Sequence, residues 1–246
     1  MFSIFKKKTT AKNDFSGLHT DMHSHLLPGI DDGATDAGNS LELIRGLEDL
    51  GYGKFIATPH IFWDMYKNDA VTINAAHQSL QSEMQANGIN SPIYAAAEYY
   101  MDEHFDSLLE NKVPLLPIKD NMVLVEFSFV SAPVNVKDQL FQLQINGYQP
   151  ILAHPERYLY LSGNKNFFDD LKSAGCYFQV NLLSVAGYYG KPSLDLAHYL
   201  LKKNYVDLLG TDLHHLRHLE ALRSSPHIMP AVHSLLQSGR LLNSGL

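Results

Sequence analysis

The chain has 246 residues, 45% of them hydrophobic, enough for one sizeable core of the kind found in α/β domains of roughly 200–250 residues. Its formal net charge of −7 argues against a basic nucleic-acid groove, and no apolar run approaches the roughly 18 residues that span a membrane. Cys176 is the only cysteine, which excludes an intrachain disulfide and fits a reducing, cytoplasmic compartment.

Residues 1–17 read as a solvated tail, with residues 18–246 as one domain. In Met1-Phe-Ser-Ile-Phe-Lys-Lys-Lys8 the charges follow the apolar residues, unlike a signal peptide. Leu18 to His25 is the first expected strand. Thr35 to Gly51 is a helix, with Leu41, Ile44, Leu47 and Leu50 at helical spacing. Lys54–His60 is a second strand, 70–88 a helix, Ile93–Tyr100 a third strand and Met122–Phe127 a fourth. Then come a helix over 133–146, a strand over Pro150–His154, a helix over 164–174 and a strand over Tyr177–Asn181. A helix over 193–203, a seventh strand over Tyr205–Asp212 and a polar helical remainder complete the chain. Alternating β and α with continuous apolar strands predicts an α/β domain of parallel strands covered by helices. Pattern alone leaves open whether seven βα units close as a barrel or lie as an open sheet.

The chemistry stands at the strand ends. In Asp21-Met-His-Ser-His25 the two imidazoles sit two apart, on one face of a strand, where both can grip one ion. Asp31 and Asp32 follow in the next loop. The later strands end at His60, Glu98, Glu126 and His154, and the seventh at Asp212 with His214 just beyond. Parallel α/β folds bind ligands at the carboxyl ends of their strands, so these residues converge on one rim. An imidazole and carboxylate set without thiolate suits Zn, Mn or Fe, and more than one ion. His60 or His154 taken singly can equally hydrogen-bond a backbone carbonyl. Glu98 and Glu126 lie in apolar runs, where an unpaired carboxylate costs roughly several kcal/mol, so each needs a metal or a cation. Asp31 reads as a turn residue in Pro28-Gly-Ile-Asp-Asp-Gly33.

Arg157 follows His154, and its planar fork suits bidentate phosphate binding; a surface ion pair with Glu156 is the rival reading. Asn181 is placed to touch substrate or to cap a turn. Arg217 is a further phosphate-binding candidate or an ordinary helix-face charge. Cys176 reads as a buried small hydrophobe, and His198, His215, His218, His227 and His233 as solvated. No Gly-x-Ser-x-Gly elbow and no phosphate loop is present.

Six stretches together resemble the PHP (polymerase and histidinol phosphatase) superfamily, and within it the bacterial CpsB/YwqE-type tyrosine-protein phosphatases of capsule and exopolysaccharide clusters. They are residues 21–33, Ala57-Thr-Pro-His60, Glu98, Leu124-Val-Glu-Phe-Ser128, Leu152-Ala-His-Pro-Glu-Arg-Tyr158 and Gly210-Thr-Asp-Leu-His214. The resemblance implies a distorted seven-stranded (β/α) barrel in a single domain and two or three divalent ions, manganese first, with iron or zinc as alternatives. By that analogy His23, His25, Glu98 and Asp212 hold one ion. Glu98 bridges to a second, held by Glu126 and His154, and Asp32, His60 and His214 hold a third. Arg157 matches the family's phosphate-binding arginine. The implied activity is metal-dependent hydrolysis of protein phosphotyrosine, the implied partner an autophosphorylating tyrosine kinase of polysaccharide synthesis. A PHP-type phosphoesterase acting on a small-molecule phosphate or nucleic acid is the alternative. An amidohydrolase and a non-catalytic binding module are further rivals, disfavoured by Glu126 standing where the first often uses a carbamylated lysine and by the complete ligand set.

Overall fold

The computed structural model describes residues 12–246. In chain order the elements are β1 (Thr20–Ser24), α1 (Ala37–Glu48), β2 (Lys54–Ala57), β3 (His60–Ile61), α2 (Ala70–Ala86), β4 (Ile93–Ala95) and β5 (Glu98–Tyr100). They continue with α3 (Glu103–Glu110), β6 (Met122–Glu126), α4 (Val136–Ile145), β7 (Gln149–Ala153), α5 (Asn166–Ser173) and β8 (Tyr177–Asn181). The last are α6 (Lys191–Lys202), β9 (Leu208–Gly210), α7 (Leu216–Ser224) and α8 (Ile228–Ser238). Asp36, Asp69 and Asp102 cap α1, α2 and α3, each side chain accepting a backbone N–H of the first turn.

All strand pairs are parallel, as the apolar runs predict, and they form two sheets ordered β1-β2-β4 and β3-β5-β6-β7-β8-β9. Two of the seven expected strands each break in two. Lys54–His60 becomes β2 and β3, because Pro59 between them has no N–H to give a ladder. Ile93–Tyr100 becomes β4 and β5, and the bonds Ala96 N–H to Ala57 O and Glu98 N–H to Pro59 O carry the chain from one sheet to the other. β1 meets the end of β9 through a single Ser24–Leu213 bridge, backed by bonds from Asp212 N–H to His23 O and His25 N–H to Leu213 O. Among the described residues the ladders therefore draw two parallel sheets and no continuous closed barrel. Helix α3 was not expected; it is only eight residues long and buries just Phe105 and Leu109.

The larger apolar core lies between strands and helices. A smaller cluster, including Ala96, Leu124 and Ile151, lies among the strands themselves. Ala96 is two residues before Glu98 and Leu124 two before Glu126, so strand alternation puts this cluster and the carboxylates on one face. At the other end Leu242 and Leu246 pack on the cluster, and Asn243 exchanges hydrogen bonds with the N–H and C=O of Leu209. The final segment thus serves the fold.

The expected tail lies outside the described residues for positions 1–11. Its end is packed: Phe15 is fully buried, its N–H donates to Leu50 O at 2.7 Å, and Asn13 bonds the carbonyls of Leu222 and Ser225. An apolar ring in a polar stretch was the missed cue. Phe15→Ala is expected to cost about 3–5 kcal/mol, read as a lowered urea midpoint at unchanged slope.

Candidate metal centre

Strands and the loops that follow them deliver the expected side chains to one place. Glu98, first residue of β5, is the hub. Its carboxylate lies 3.2 Å from His23 Nε2, 3.5 Å from His25 Nε2, 3.2 Å from His60 Nδ1 and 3.0 Å from His154 Nε2. Glu126 Oε1 lies 2.9 Å from His60 Nδ1, and Asp212 Oδ1 lies 3.4–3.5 Å from His23, His25 and His214. Asp32 closes the outer side, 3.5 Å from His60 Nε2 and 3.6 Å from His214 Nε2. All nine residues expected at the metal site are brought together.

These contacts are charge contacts without hydrogen-bond geometry. Nε2 of His23 and His25, Nδ1 of His60 and both Glu98 oxygens are buried with no hydrogen-bond partner. Such orphans are costly unless something else binds them. Four groupings have donor atoms within 4.8 Å of one another: His25, Asp32, His60 and His214; His23, His25 and Asp212; His23, Glu98 and His154; His60, Glu98 and Glu126. The sharing of residues between groups and the N/O donor chemistry fit adjacent divalent ions.

A second layer orients these donors. His25 Nδ1 bonds Asp31 Oδ2 at 2.8 Å, and Asp31 also accepts from the backbone of Gly33 and His60. Asp31 is therefore both turn residue and histidine anchor. Burial alone would raise its carboxyl, but the charge of His25 beside it holds it down at about 2. Likewise burial opposes charge on His60, yet Glu126 and then Glu98 lift the ring to about 9. His214 is held down at about 4 by burial and by His25.

Strand β8 brings no donor to the four groupings but supplies Gln179. Its Oε1 pairs with His23 Nδ1 at 2.8 Å and accepts the His154 N–H at 3.3 Å; its Nε2 donates to Asn181 at 2.9 Å. An amide inside an apolar strand was the available signal, and sequence reading passed over it. Gly210 is required beside it, since a Cβ there would come within 2.8 Å of the His23 Cβ. A Cβ on Gly33 would collide with the His25 carbonyl. Gln179→Leu is expected to weaken metal binding about 10–100-fold with the fold retained. A competition titration that finds affinity within about twofold of wild type would remove Gln179 from this role.

His154 and Asp212 both take left-handed backbone, with φ of 32° and 50°. Such strain, of order 1 kcal/mol each, persists where the surroundings hold it and gathers at functional sites.

The donors open into a cavity of about 230 Å³, whose wall includes Arg157, Phe129, Tyr189, His215 and His218. Arg157 does not pair with Glu156, which is fully buried and accepts from Ser184 Oγ and Asn181 N–H. It donates instead to Asp212 Oδ2 at 2.9 Å, its guanidinium sandwiched 4.5 Å from Phe129 and 4.4 Å from Tyr189. Asn181 is buried and donates to the same oxygen at 2.7 Å; it braces Asp212 and does not line the cavity. Arg217 is exposed on α7 and does not line the cavity either. His215 and His218 correct the expectation of solvated rings: α7 begins at the end of β9, so its first turn faces the cavity, and His218 is buried. His198, His227 and His233 are exposed as expected. Cys176 is buried, and that burial pushes its thiol up to about 12, unsuited to nucleophilic work.

No helix among the described residues is long and apolar enough to cross a membrane. The tyrosine-protein phosphatase YwqE of Bacillus subtilis is 29% identical over 198 residues, 80% of this chain and 78% of YwqE. The tyrosine-protein phosphatase CpsB of Streptococcus pneumoniae is 26% identical over 204 residues, 80% of this chain and 83% of CpsB. A solved structure from work on YwqE of B. subtilis and CpsB of S. pneumoniae, described there as unique metal-dependent tyrosine phosphatases, superposes with a TM-score of 0.78. It shares 27% identity and covers 89% of this chain and 86% of its own. Residues 19–236 match the family described as capsular polysaccharide synthesis, CpsB/CapC, and the chain belongs to that family.

Proposed function

We propose that the chain is a metal-dependent protein-tyrosine phosphatase of capsule or exopolysaccharide synthesis. One observation carries the reading: buried imidazole and carboxylate atoms of His23, His25 and Glu98, without hydrogen-bond partners, lie against His60, His154 and Asp212, which line a cavity whose wall also holds a sandwiched arginine. His23, His25, Glu98 and Asp212 would hold one ion, Glu98, Glu126 and His154 a second, and Asp32, His60 and His214 a third. Manganese is the first choice, with iron or zinc as alternatives. The phosphoprotein is an autophosphorylating tyrosine kinase of polysaccharide synthesis, met in the cytoplasm. The same reading takes the two sheets as a distorted seven-stranded barrel, with β2–β3 and β4–β5 each counted as one broken strand.

When bound, the ions supply Lewis-acid neutralisation of the phosphoryl oxygens and a nucleophile available near neutral pH. The protein's own part is placement. Arg157 spends one N–H on Asp212 and turns its remaining donors to the phosphoryl group, where charge builds in the transition state. Phe129 and Tyr189 fix the guanidinium plane. Gln179 and Asp31 each engage the Nδ1 of one histidine, leaving Nε2 of His23 and His25 free to face the ions. The leaving phenolate has a pKa near 10, low enough to depart with little help.

The test is substrate preference of the manganese-loaded protein among a phosphotyrosine peptide, histidinol phosphate and single-stranded DNA. The peptide is expected to give the highest kcat/KM. Faster turnover of histidinol phosphate or DNA would replace this reading with a small-molecule phosphatase or a nuclease.

A further inference from the structure

The cavity is smaller than the roughly 300–1,000 Å³ of pockets that enclose a drug-sized ligand. It admits a phosphorylated side chain, so the main chain bearing that side chain must lie across the rim. The rim is apolar. Phe129 lines the cavity and is still 48% exposed; Val130 beside it is 85% exposed and Val134 fully so. Trp63 and Met65 after β3 and Tyr188 after β8 are exposed as well. All stand on loops leaving the carboxyl ends of strands, the end at which Glu126 and Asn181 sit.

The loops after β3 and β6 are fastened near their strands. The Phe62–Tyr66 turn closes with Tyr66 N–H to Phe62 O at 2.6 Å, Tyr66 stacks on His60, and the Trp63 ring stacks on His104 at 4.0 Å. Phe127 N–H donates to Tyr158 Oη at 2.9 Å, and Tyr160 Oη donates to Ser128 O at 3.1 Å. Apolar side chains held out to water beside these fixed points add nothing to the core and are available to a partner. Charge narrows the choice. Asp64 on the loop after β3 is exposed, Lys67 of the same loop stands over the Trp63 ring, and the chain carries a net −7, so an acidic flank finds little attraction there.

We propose that this rim docks a phosphotyrosyl polypeptide whose residues flanking the phosphotyrosine are apolar and uncharged; the inference rests on the phosphatase reading above. The test compares two phosphotyrosine peptides of equal length, one with apolar and one with acidic flanks, with p-nitrophenyl phosphate as a substrate that has no flanks. Wild-type protein is expected to show a KM about tenfold lower for the apolar peptide. The Val130→Asp/Val134→Asp variant should lose most of that advantage while its kcat/KM on p-nitrophenyl phosphate stays within about twofold. Equal KM values for the two peptides, or a variant with unchanged peptide KM, would overturn the proposal and leave the phosphatase reading standing. A dimer in sedimentation that the variant dissociates, with peptide KM unmoved, would assign the patch to self-association instead. Failure of the wild type on every phosphoester would overturn both.

Discussion

Glu98→Gln is expected to abolish phosphate release from a phosphotyrosine peptide, by roughly a thousandfold or more, and to lower bound metal measured by elemental analysis. The substitution keeps the side chain's size and removes its charge. Glu98 is within 3.5 Å of four imidazoles, and both its oxygens lack any hydrogen-bond partner. A neutral amide would hold the proposed ions poorly and would set N–H groups against imidazole nitrogens proposed to face them. Changes at the edge of the proposed site, such as Asp32→Asn, should cost less, because Asp32 is half exposed and lies 3.5 and 3.6 Å from His60 and His214 on the outer side. Wild-type metal content and activity in Glu98→Gln would remove Glu98 from the centre.

Arg157→Ala is expected to lower kcat about 100–1,000-fold with metal content unchanged. Two facts pull against each other here. Arg157 bonds Asp212 Oδ2, so its loss loosens a residue of the proposed metal centre; Asn181 bonds the same oxygen at 2.7 Å and should keep Asp212 in place. The loss is therefore expected in turnover and not in metal content. Arg157→Lys should recover little, since an ammonium has neither the fork for two phosphoryl oxygens nor the flat faces that Phe129 and Tyr189 cover. Activity within about twofold of wild type would end the phosphate-binding role.

The strand ends were legible because a donor closing an apolar run is a local signal. His23 and His25 follow from the period of a strand, and Glu98 and Glu126 from the cost of burying a lone carboxylate. What escaped is long-range or short. Asp31 reads as a turn residue because its bond to His25 depends on how the loop folds back. Gln179 belongs to no motif, and its role needs β8 beside β7 and within reach of β1. His215 and His218 looked solvated because α7 is polar, yet where a helix starts relative to its strand decides what its first turn faces. The breaks at Pro59 and at Ala96–Ala97 divide two strands that are continuous in hydropathy. Phe129 belongs to no motif, and only the fold puts its ring against Arg157.

The most direct measurement strips the protein of metal and assays phosphotyrosine peptide as Mn, Fe, Zn or Mg is restored singly. The expected result is no phosphate release until a divalent ion returns, and none with any ion in His23→Ala. Release by the fully stripped protein, at the rate of the restored one, would contradict a metal-dependent phosphatase.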